Sequence, residues 1–223
     1  MEKTLLEVAA IARKTCTDFE IIAIDDGSKD NTRAVIEAFC KEEKKATLRG
    51  FDTNQGVGAA FLAGLELAKF PMISLVPGDN AFSEQAIENV FSAAGKADLV
   101  VSYRDNMNVR TPIRRVLSVI CTNLMRICTS KAIRDAHSMY VFPVDLARTL
   151  KIQNGYGYHI ECLGRLLILT DTILEVPAPL NPKPDASSGV MRLSVILTLG
   201  FTMVCLMLWR IGYFLRGHNR MAE

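Results

Sequence analysis

The sequence predicts an α/β protein in which strands alternate with helices around a parallel sheet. Short apolar runs rich in β-branched residues alternate with segments of helical periodicity, which is the pattern of such sheets. Several of these runs end in clusters of Asp, Gly and Asn, which are turn residues. The composition is 49% hydrophobic and 22% charged over 223 residues, as in a folded globular chain.

The first half of the chain alternates helix and strand from its first residues. Apolar side chains at positions 5, 8, 9 and 12 predict a helix over 2–14, and residues 19–25 form a continuous apolar run that predicts a buried strand. The same reasoning predicts a helix at 30–44, a strand at 46–51, a helix at 57–69, a strand at 72–76, a helix capped by Ser83 and a strand at 98–103.

The second half begins with a helix over Pro112–Thr129 and continues with a strand at 138–142, a helix at 157–169 and a strand at 172–176. Ligands of parallel α/β sheets bind at the carboxyl ends of the strands. Three of these ends carry polar residues, namely Asp25-Asp26, Pro77-Gly78-Asp79-Asn80 and Ser102-Tyr103-Arg104.

Charge is distributed unevenly along the chain, although the net charge is only +2. Residues 191–223 carry +3, residues 1–190 carry −1, and the window 103–134 within them carries +6. Arginine outnumbers lysine six to one in that window, and its planar guanidinium suits phosphate. The window predicts an anionic partner or a solvated helix face. Aromatic residues make up only 7% of the chain, and nothing resembles a nucleic-acid-reading motif, so the sequence disfavours nucleic acid and predicts no nucleic-acid partner.

The longest apolar run, residues 193–215, is interrupted only by Arg210. As a helix it would extend about 34 Å, enough for a bilayer core of about 30 Å. This run predicts a spanning or membrane-inserted helix; a buried core helix or an in-plane helix fits the same pattern. Met1 leads into a helical pattern rather than a signal peptide. Six cysteines without metal-binding spacing predict reduced thiols in a cytoplasmic domain.

Several segments resemble the family 2 glycosyltransferases, and in particular their dolichol-phosphate mannose synthase and polyprenyl-phosphate glycosyltransferase branch. The most specific is residues 20–32, EIIAIDDGSKDNT, which is similar to the family's strand followed by DDGSxDxT. Asp79 stands at the second acid of the family's D-x-D motif. The resemblance continues through NQGVGAAFLAGLELAK (54–69), DLVVSYR (98–104), RDAHSMYVF (134–142), GYGYHIECLGRLL (155–167) and EVPAPLNPKPDASS (175–188).

The resemblance implies a GT-A (Rossmann-like) nucleotide-sugar-binding fold and an inverting sugar transfer. The donor would be a nucleotide-sugar of the GDP-mannose or UDP-glucose type, and the acceptor a polyprenyl phosphate in a membrane. It also implies a divalent cation, Mg²⁺ or Mn²⁺, and a catalytic domain on the cytoplasmic side of the membrane. The sequence leaves a homo-oligomer open.

The resemblance also implies roles for individual residues. Asp79 would bind the metal, and Asp135 and Glu161 would lie near the reacting centre. The substrate-binding residues would be Asp25, Asp26 and Ser28 on the nucleoside side, and Arg104, Arg114 and Lys183 on the acceptor-phosphate side. Each acid also has a structural alternative, as a helix cap, a turn residue or the partner of a neighbouring arginine. His137 and His159 lack metal-ligand spacing, and the sequence assigns them no role.

The chain departs from the family pattern at two places. Met1 stands where the family's first helix begins, so the fold is expected to lack its first strand. Pro77 stands at the first acid of D-x-D, so the metal would rest on Asp79, substrate phosphates and water. These departures leave two alternatives open: a non-catalytic member that binds nucleotide, lipid or a partner, and a glycosyltransferase with a hydroxyl acceptor.

Four regions follow from these patterns. Residues 1–176 are expected to form the GT-A domain, residues 177–192 a proline-rich linker, residues 193–215 the membrane helix and residues 216–223 a basic tail.

Overall fold

Eight α-helices, six strands and one 3₁₀ turn make up the described part of a computed structural model, which covers residues 1–153, 155, 157–182 and 193–220. The helices are α1 (Glu2–Thr15), α2 (Thr32–Glu42), α3 (Val57–Leu67), α4 (Glu84–Ser92), α5 (Pro112–Thr129), α6 (Val144–Thr149), α7 (Tyr158–Leu169) and α8 (Leu193–Arg220). The strands are β1 (Ile21–Asp25), β2 (Ala46–Gly50), β3 (Met72–Ser74), β4 (Leu99–Tyr103), β5 (Tyr140–Pro143) and β6 (Ile173–Pro177), and the 3₁₀ turn is Met107–Val109.

The strands form two sheets rather than one. β1 and β2 pair in parallel, and the second sheet has the order β3-β5-β4-β6. β4 and β6 are parallel, whereas β5 runs antiparallel to both of its neighbours, so the prediction of a wholly parallel sheet is wrong for β5. The reason is that the segment after α5 returns to the carboxyl end of β4, where Met139 accepts a hydrogen bond from the backbone of Ser102 (2.8 Å). The chain therefore enters the sheet from that edge.

The described chain opens with α1 rather than with a strand, and no strand pairing joins the two sheets within the residues described. Helices connect them instead. α3 packs on β1, and α6 anchors the end of α3 because the Arg148 guanidinium donates to the carbonyls of Leu65 (3.1 Å), Glu66 (3.1 Å) and Ala68 (2.6 Å). Carbonyls at the end of a helix have no N–H partner within the helix, and the arginine supplies the missing donors.

The largest core lies between the second sheet, α3, α5, α7 and α8. α7 is buried along most of its length, through Ile160, Leu163, Leu166 and Leu167 among others. α8 adds Met203 and Leu206 to this core, with 4% and 2% of their surface exposed. Gly164 permits the close approach, since a Cβ there would lie 2.2 Å from a methyl group of Leu206.

α8 therefore lies against the α/β body along one face. Arg210 donates to the carbonyl of Cys128 at the end of α5 (3.1 Å), and the Arg165 guanidinium stacks 5.0 Å from the Trp209 ring centre. The opposite face is apolar and open, with Phe201 68% and Leu208 63% exposed. Residues 197–215 form a helical stretch long and apolar enough to cross a membrane by length and composition.

The predicted linker is described only at its start. Residues 178–182 are fixed to the body, because Ala178 N–H donates to Tyr103 (2.8 Å) and Asn181 N–H donates to Ala81 (2.9 Å). Residues 183–192 of the linker and residues 221–223 of the basic tail lie outside the described residues.

The packing of α8 predicts unequal effects of two leucine substitutions on one helix. Leu206→Ala removes a buried side chain and should lower the free energy of unfolding by about 2–5 kcal/mol. Leu208→Ala removes an exposed side chain and should change it by less than about 0.5 kcal/mol. Denaturant unfolding of the full chain in mild detergent measures both, and equal losses would contradict the docking of α8.

Candidate active site

The turn after β1 holds two of the predicted nucleoside-binding acids. Asp25 is buried, and its carboxylate accepts the Ser28 N–H (3.3 Å). The Asp26 carboxylate accepts two backbone N–H groups of the loop before α3, from Gln55 (2.7 Å) and Gly56 (2.9 Å). Both carboxylates thus accept hydrogen bonds from backbone N–H groups. Ser28 is exposed beside them.

Gly27 allows this turn to meet the next loop. Its φ of +69° favours glycine, and a Cβ at this position would lie 2.6 Å from the carbonyl carbon of Thr53. The two loops are consequently in contact, and the hydrogen bonds of Asp26 join them.

The turn after β3 presents Asp79. Its carboxylate accepts the Ala81 N–H (3.1 Å), and the following Asn80 has a left-handed φ of 56°. The Asn181 amide donates to the carbonyls of Asn80 (3.1 Å) and Phe82 (2.8 Å), which fixes the turn from the other side. Asp79 is an exposed carboxylate on this ordered turn.

A divalent cation has a limited set of protein ligands here. Among the described residues no group of three or more His, Cys, Asp and Glu side chains is placed to hold a metal ion. One exposed carboxylate fits magnesium, which commonly takes one or two protein carboxylates together with substrate phosphates and water. Asp79 is a carboxylate of this kind, and its role as a metal ligand stays a prediction.

Arg104 and Asp135 form a buried bidentate ion pair where β4 ends. Arg104 Nε lies 2.5 Å from Asp135 Oδ2, and Nη2 lies 2.7 Å from Oδ1. The backbone N–H groups of Arg104 (3.2 Å) and His137 (2.9 Å) donate to the same carboxylate. Arg104 Nη2 also reaches the Ser118 hydroxyl of α5 (2.7 Å).

This pair fixes the charge state and the role of both residues. Burial raises the pKa of Asp135, but the hydrogen bonds and charge of Arg104 outweigh it and hold that pKa below its ordinary value. The Arg104 side chain is only 1% exposed. The guanidinium is occupied by Asp135 and Ser118, and its predicted contact with an acceptor phosphate stays a prediction.

Glu161 is buried in the first turn of α7 and is also paired. Its carboxylate accepts the Gln153 N–H (3.1 Å) and lies 2.5 Å from Arg165 Nη2 one turn along the helix. Arg165 also donates to the carbonyl of Leu150. Glu161 thus holds the segment before α7, which is the structural alternative to its predicted place at the reacting centre.

The two remaining predicted residues differ in how the structure places them. Arg114 lies half-buried in the first turn of α5. Lys183 lies outside the described residues, so its predicted contact with the acceptor phosphate stays a prediction.

A cavity of about 130 Å³ next to Pro77 contains two histidines that the sequence left without a role. Burial, together with the charge of Arg104, lowers the pKa of His137 to about 4, and burial, together with the neighbouring His137, lowers the pKa of His159 to about 3. Both imidazoles are therefore neutral near pH 7. Their spacing of 22 residues in the sequence does not predict that they meet. The sequence feature that could have drawn attention to them is that each lies two residues from a predicted site acid, Asp135 or Glu161.

Comparison with known families gives a match over most of the described body. The family model described as Glycosyl transferase family 2 matches residues 2–149. The chain is similar to two dolichyl-phosphate β-glucosyltransferases of Trichomonas vaginalis. One is 29% identical over 87% of this chain and 63% of the relative, and the other is 26% identical over 80% of this chain and 58% of the relative. The chain thus spans about three fifths of the length of these relatives.

Solved structures give the same fold. Glucosyl-3-phosphoglycerate synthase from Mycobacterium tuberculosis, in complex with Mn²⁺, UDP-glucose and phosphoglyceric acid, superposes with a TM-score of 0.63 at 20% identity, covering 91% of this chain and 75% of that one. Mannosyl-3-phosphoglycerate synthase from Rubrobacter xylanophilus gives 0.64 at 13% identity, covering 98% and 70%. Both likenesses concern the fold alone.

The buried pair predicts how stability depends on pH. A carboxyl whose pKa is lowered by folding stabilises the protein above its unfolded pKa of about 4 and loses that contribution as pH falls through the folded value. Asp135→Asn leaves the Arg104 charge buried and should cost about 3–5 kcal/mol at pH 7. That difference from wild type should shrink below about pH 4.

Urea unfolding between pH 3 and 7 measures this difference, with Asp18→Asn as the control. Asp18 forms an exposed ion pair with Lys45, and its loss should leave the unfolding curve close to wild type. A pH-independent cost of Asp135→Asn would contradict the lowered pKa of the buried carboxyl.

Proposed function

The chain belongs to glycosyl transferase family 2, and we propose that it transfers a sugar from a nucleotide-sugar to a polyprenyl phosphate at a membrane surface. The dolichyl-phosphate β-glucosyltransferases to which it is similar support a lipid-phosphate acceptor. The donor we propose is of the UDP-glucose or GDP-mannose type, and the reaction inverts the anomeric carbon.

One observation carries the choice of a lipid acceptor, namely the apolar outer face of α5. Six large aliphatic side chains on this helix are between 41% and 65% exposed. Five of them follow one helical stripe, and a stripe of this kind on an amphipathic helix is typical of helices that lie at a membrane interface. The six are Ile113, Val116, Val119, Ile120, Leu124 and Ile127.

The same helix faces the candidate site with its other side. Ser118 on α5 binds Arg104, and Thr122 accepts the Ala136 N–H next to Asp135 (3.2 Å). One helix therefore separates the buried ion pair from the apolar surface. A lipid whose chain lies along the outer face would bring its phosphate to this end of the site.

α8 extends the apolar face of α5, because the two helices pack together. α5 also carries Arg115 and Arg126, both of which are exposed. Basic residues on a helix with an apolar face favour anionic lipid head groups. This arrangement supports a membrane association in which α8 lies with its body-facing side on α7 and its apolar side in the lipid.

The chemistry that we propose needs positioning more than a base. A lipid phosphate is already an anion, so it attacks without losing a proton to a side chain. The residues must hold two negatively charged substrates together and stabilise the leaving nucleoside diphosphate. A cation held by Asp79 would neutralise the diphosphate when bound.

We propose the remaining roles on the same basis. Asp25, Asp26 and Ser28 would form the nucleoside side of the site, and Arg114 and Lys183 the acceptor-phosphate side. Arg104, Asp135 and Glu161 would keep these elements in place.

A hydroxyl acceptor fits the geometry less well. Such an acceptor must lose its proton, and the first candidate base is Asp135. That carboxylate is buried, paired with Arg104 and held below its ordinary pKa, which makes it a poor proton acceptor. The ion pair of Arg104 and Asp135 thus favours an acceptor that is already deprotonated.

Transfer of a labelled sugar tests this function. The full chain, preceded by its upstream coding sequence if one exists, is incubated with labelled UDP-glucose or GDP-mannose, Mg²⁺ and vesicles that contain polyprenyl phosphate. We expect labelled lipid from one donor and about a 100-fold loss with Asp79→Ala. Asp145→Ala removes an exposed acid on α6 and should retain the wild-type rate. Absence of labelled lipid with every donor would refute the proposal, and binding of nucleotide without turnover would indicate the non-catalytic alternative.

Membrane binding tests the role of α5 separately. Val116→Ser with Ile120→Ser removes two apolar side chains from the outer face and should weaken partitioning of the full chain into anionic vesicles at least about tenfold. Leu6→Ser with Leu67→Ser removes two similarly exposed apolar side chains from α1 and α3 and serves as the matched control. Equal partitioning of the two variants would contradict a lipid-facing α5.

A further inference from the structure

Helix α8 is fixed to the α/β body along more than half of its length. Val195, Met203 and Leu206 are buried, and Leu199 and Trp209 are partly buried against the same core as Met203 and Leu206. These five positions recur at intervals of three or four residues, which places them on one side of the helix. The contact with the body therefore extends over about 21 Å of helix.

Two glycines of the body let α8 come this close. A Cβ at Gly157 would collide with the hydroxyl of Thr202, and a Cβ at Gly164 would collide with a methyl group of Leu206. Gly157 immediately precedes α7 and Gly164 lies in its second turn, so both lie on the helix that α8 covers. α8 is thus an integral part of the protein core.

Charged groups lie at the same contact. Arg210 donates to the carbonyl of Cys128 at the end of α5 (3.1 Å), and the Arg165 guanidinium of α7 lies 5.0 Å from the Trp209 ring centre. Arg165 is also paired with the Glu161 carboxylate. If α8 crossed a bilayer in this docked state, these groups would enter the hydrocarbon core, where ionisable side chains are strongly disfavoured. α8 can therefore cross only after leaving the body.

The open side of α8 is a single apolar stripe, which we call the outer stripe. Its six large side chains recur at alternating intervals of four and three residues and are between 48% and 68% exposed. Side chains with this period lie along one side of a helix. The six are Leu197, Phe201, Val204, Leu208, Ile211 and Leu215.

Lipid accounts for this stripe better than a second copy of the chain does. Intervals of four and three residues also suit a two-stranded coiled coil, but a partner helix on α8 would leave the apolar outer face of α5 in water. α5 packs beside α8, and both helices have an open apolar face. Lipid can cover both faces, and the exposed Arg115 and Arg126 of α5 suit anionic head groups.

We propose that α8 stays docked on the body and lies in the plane of one bilayer leaflet, with its outer stripe in the lipid, and that it does not cross the membrane. Both ends of α8 then lie on the side of the membrane that holds the α/β body. The inference goes beyond the proposed function, which needs a membrane surface but no particular course of α8. An in-plane helix inserts its apolar side about 5–10 Å into the boundary of the acyl chains.

Tryptophan fluorescence with brominated lipids measures the course of α8. Trp209 is the single tryptophan of the chain, so Trp209→Phe gives a background without tryptophan that keeps a ring beside Arg165. Phe201→Trp, Leu208→Trp and Leu215→Trp are introduced one at a time into this background of the full chain. Each variant is bound to anionic vesicles whose acyl chains carry bromine at one known depth.

The two courses of α8 predict different depths for these tryptophans. An in-plane helix should place all three at the same depth, with the strongest quenching by bromine nearest the head groups. In a crossing helix, position 208 lies near the bilayer centre and position 215 near an interface. The two depths should then differ by about 10 Å, because seven residues separate them.

Leu6→Trp in the same background is the control, since it places a tryptophan at an exposed position of α1 that should not be quenched. Thermal unfolding of each variant reports on folding. Unequal depths on α8 would overturn the in-plane course and leave the proposed sugar transfer intact. A vesicle-bound chain without quenching on α8 would also overturn it, and self-association of that chain would assign the outer stripe to a second copy.

The proposed function fails in a different way. A full chain that does not bind the vesicles would overturn the in-plane course together with the proposed membrane surface. Sugar transfer to polyprenyl phosphate in detergent is measured on the same preparation. Transfer without vesicle binding would retain the reaction and reject only its place at a membrane, whereas absence of both would reject the proposed function as well.

Discussion

The buried pair of Arg104 and Asp135 is the interaction on which the arrangement of the site depends. It joins the end of β4 to the segment before β5, and it reaches α5 through Ser118. Two charges withdrawn from water are stable only when they are paired and their remaining hydrogen-bonding atoms are satisfied. The Asp135 carboxylate meets this condition by accepting hydrogen bonds from Arg104 and from the backbone N–H of His137.

The cavity next to Pro77 and the apolar face of α5 lie on either side of this pair. The segment that carries Asp135 also carries His137 into the cavity, and the helix that carries Ser118 presents its other face as the apolar surface of α5. The position of the lipid relative to the candidate site would thus be set by the packing of α5 against the segment of Asp135. Such positioning suits a reaction whose acceptor is already an anion, since the barrier then depends mostly on bringing the substrates together.

The sequence predicted the elements well because their signals are local. Ser83 caps α4 by accepting the Ala86 N–H, and Pro112 begins α5, as the residue types indicate. The direction of β5 could not be predicted, because it depends on where the chain returns after α5. α6 has only six residues and follows β5 directly, which is too short for a periodic signal.

The strand ends that carry the candidate residues were predictable, but the contacts of each residue were not. The acids at strand ends follow from the topology of α/β sheets, whereas the partners of Arg104 and Glu161 depend on packing between distant segments. The proximity of the two histidines was not predicted for the same reason, since only folding brings residues 137 and 159 to one cavity.

A double-mutant cycle on the ion pair tests most directly whether it organises this region. Arg104→Met, Asp135→Leu and the combination are compared with wild type by urea unfolding at pH 7. Each single variant leaves one buried charge without its partner, and the double variant leaves none, so the double variant should lose about 2–3 kcal/mol less than the sum of the single losses. Single losses that add without coupling would show that the two residues act independently and that the pair does not organise this region.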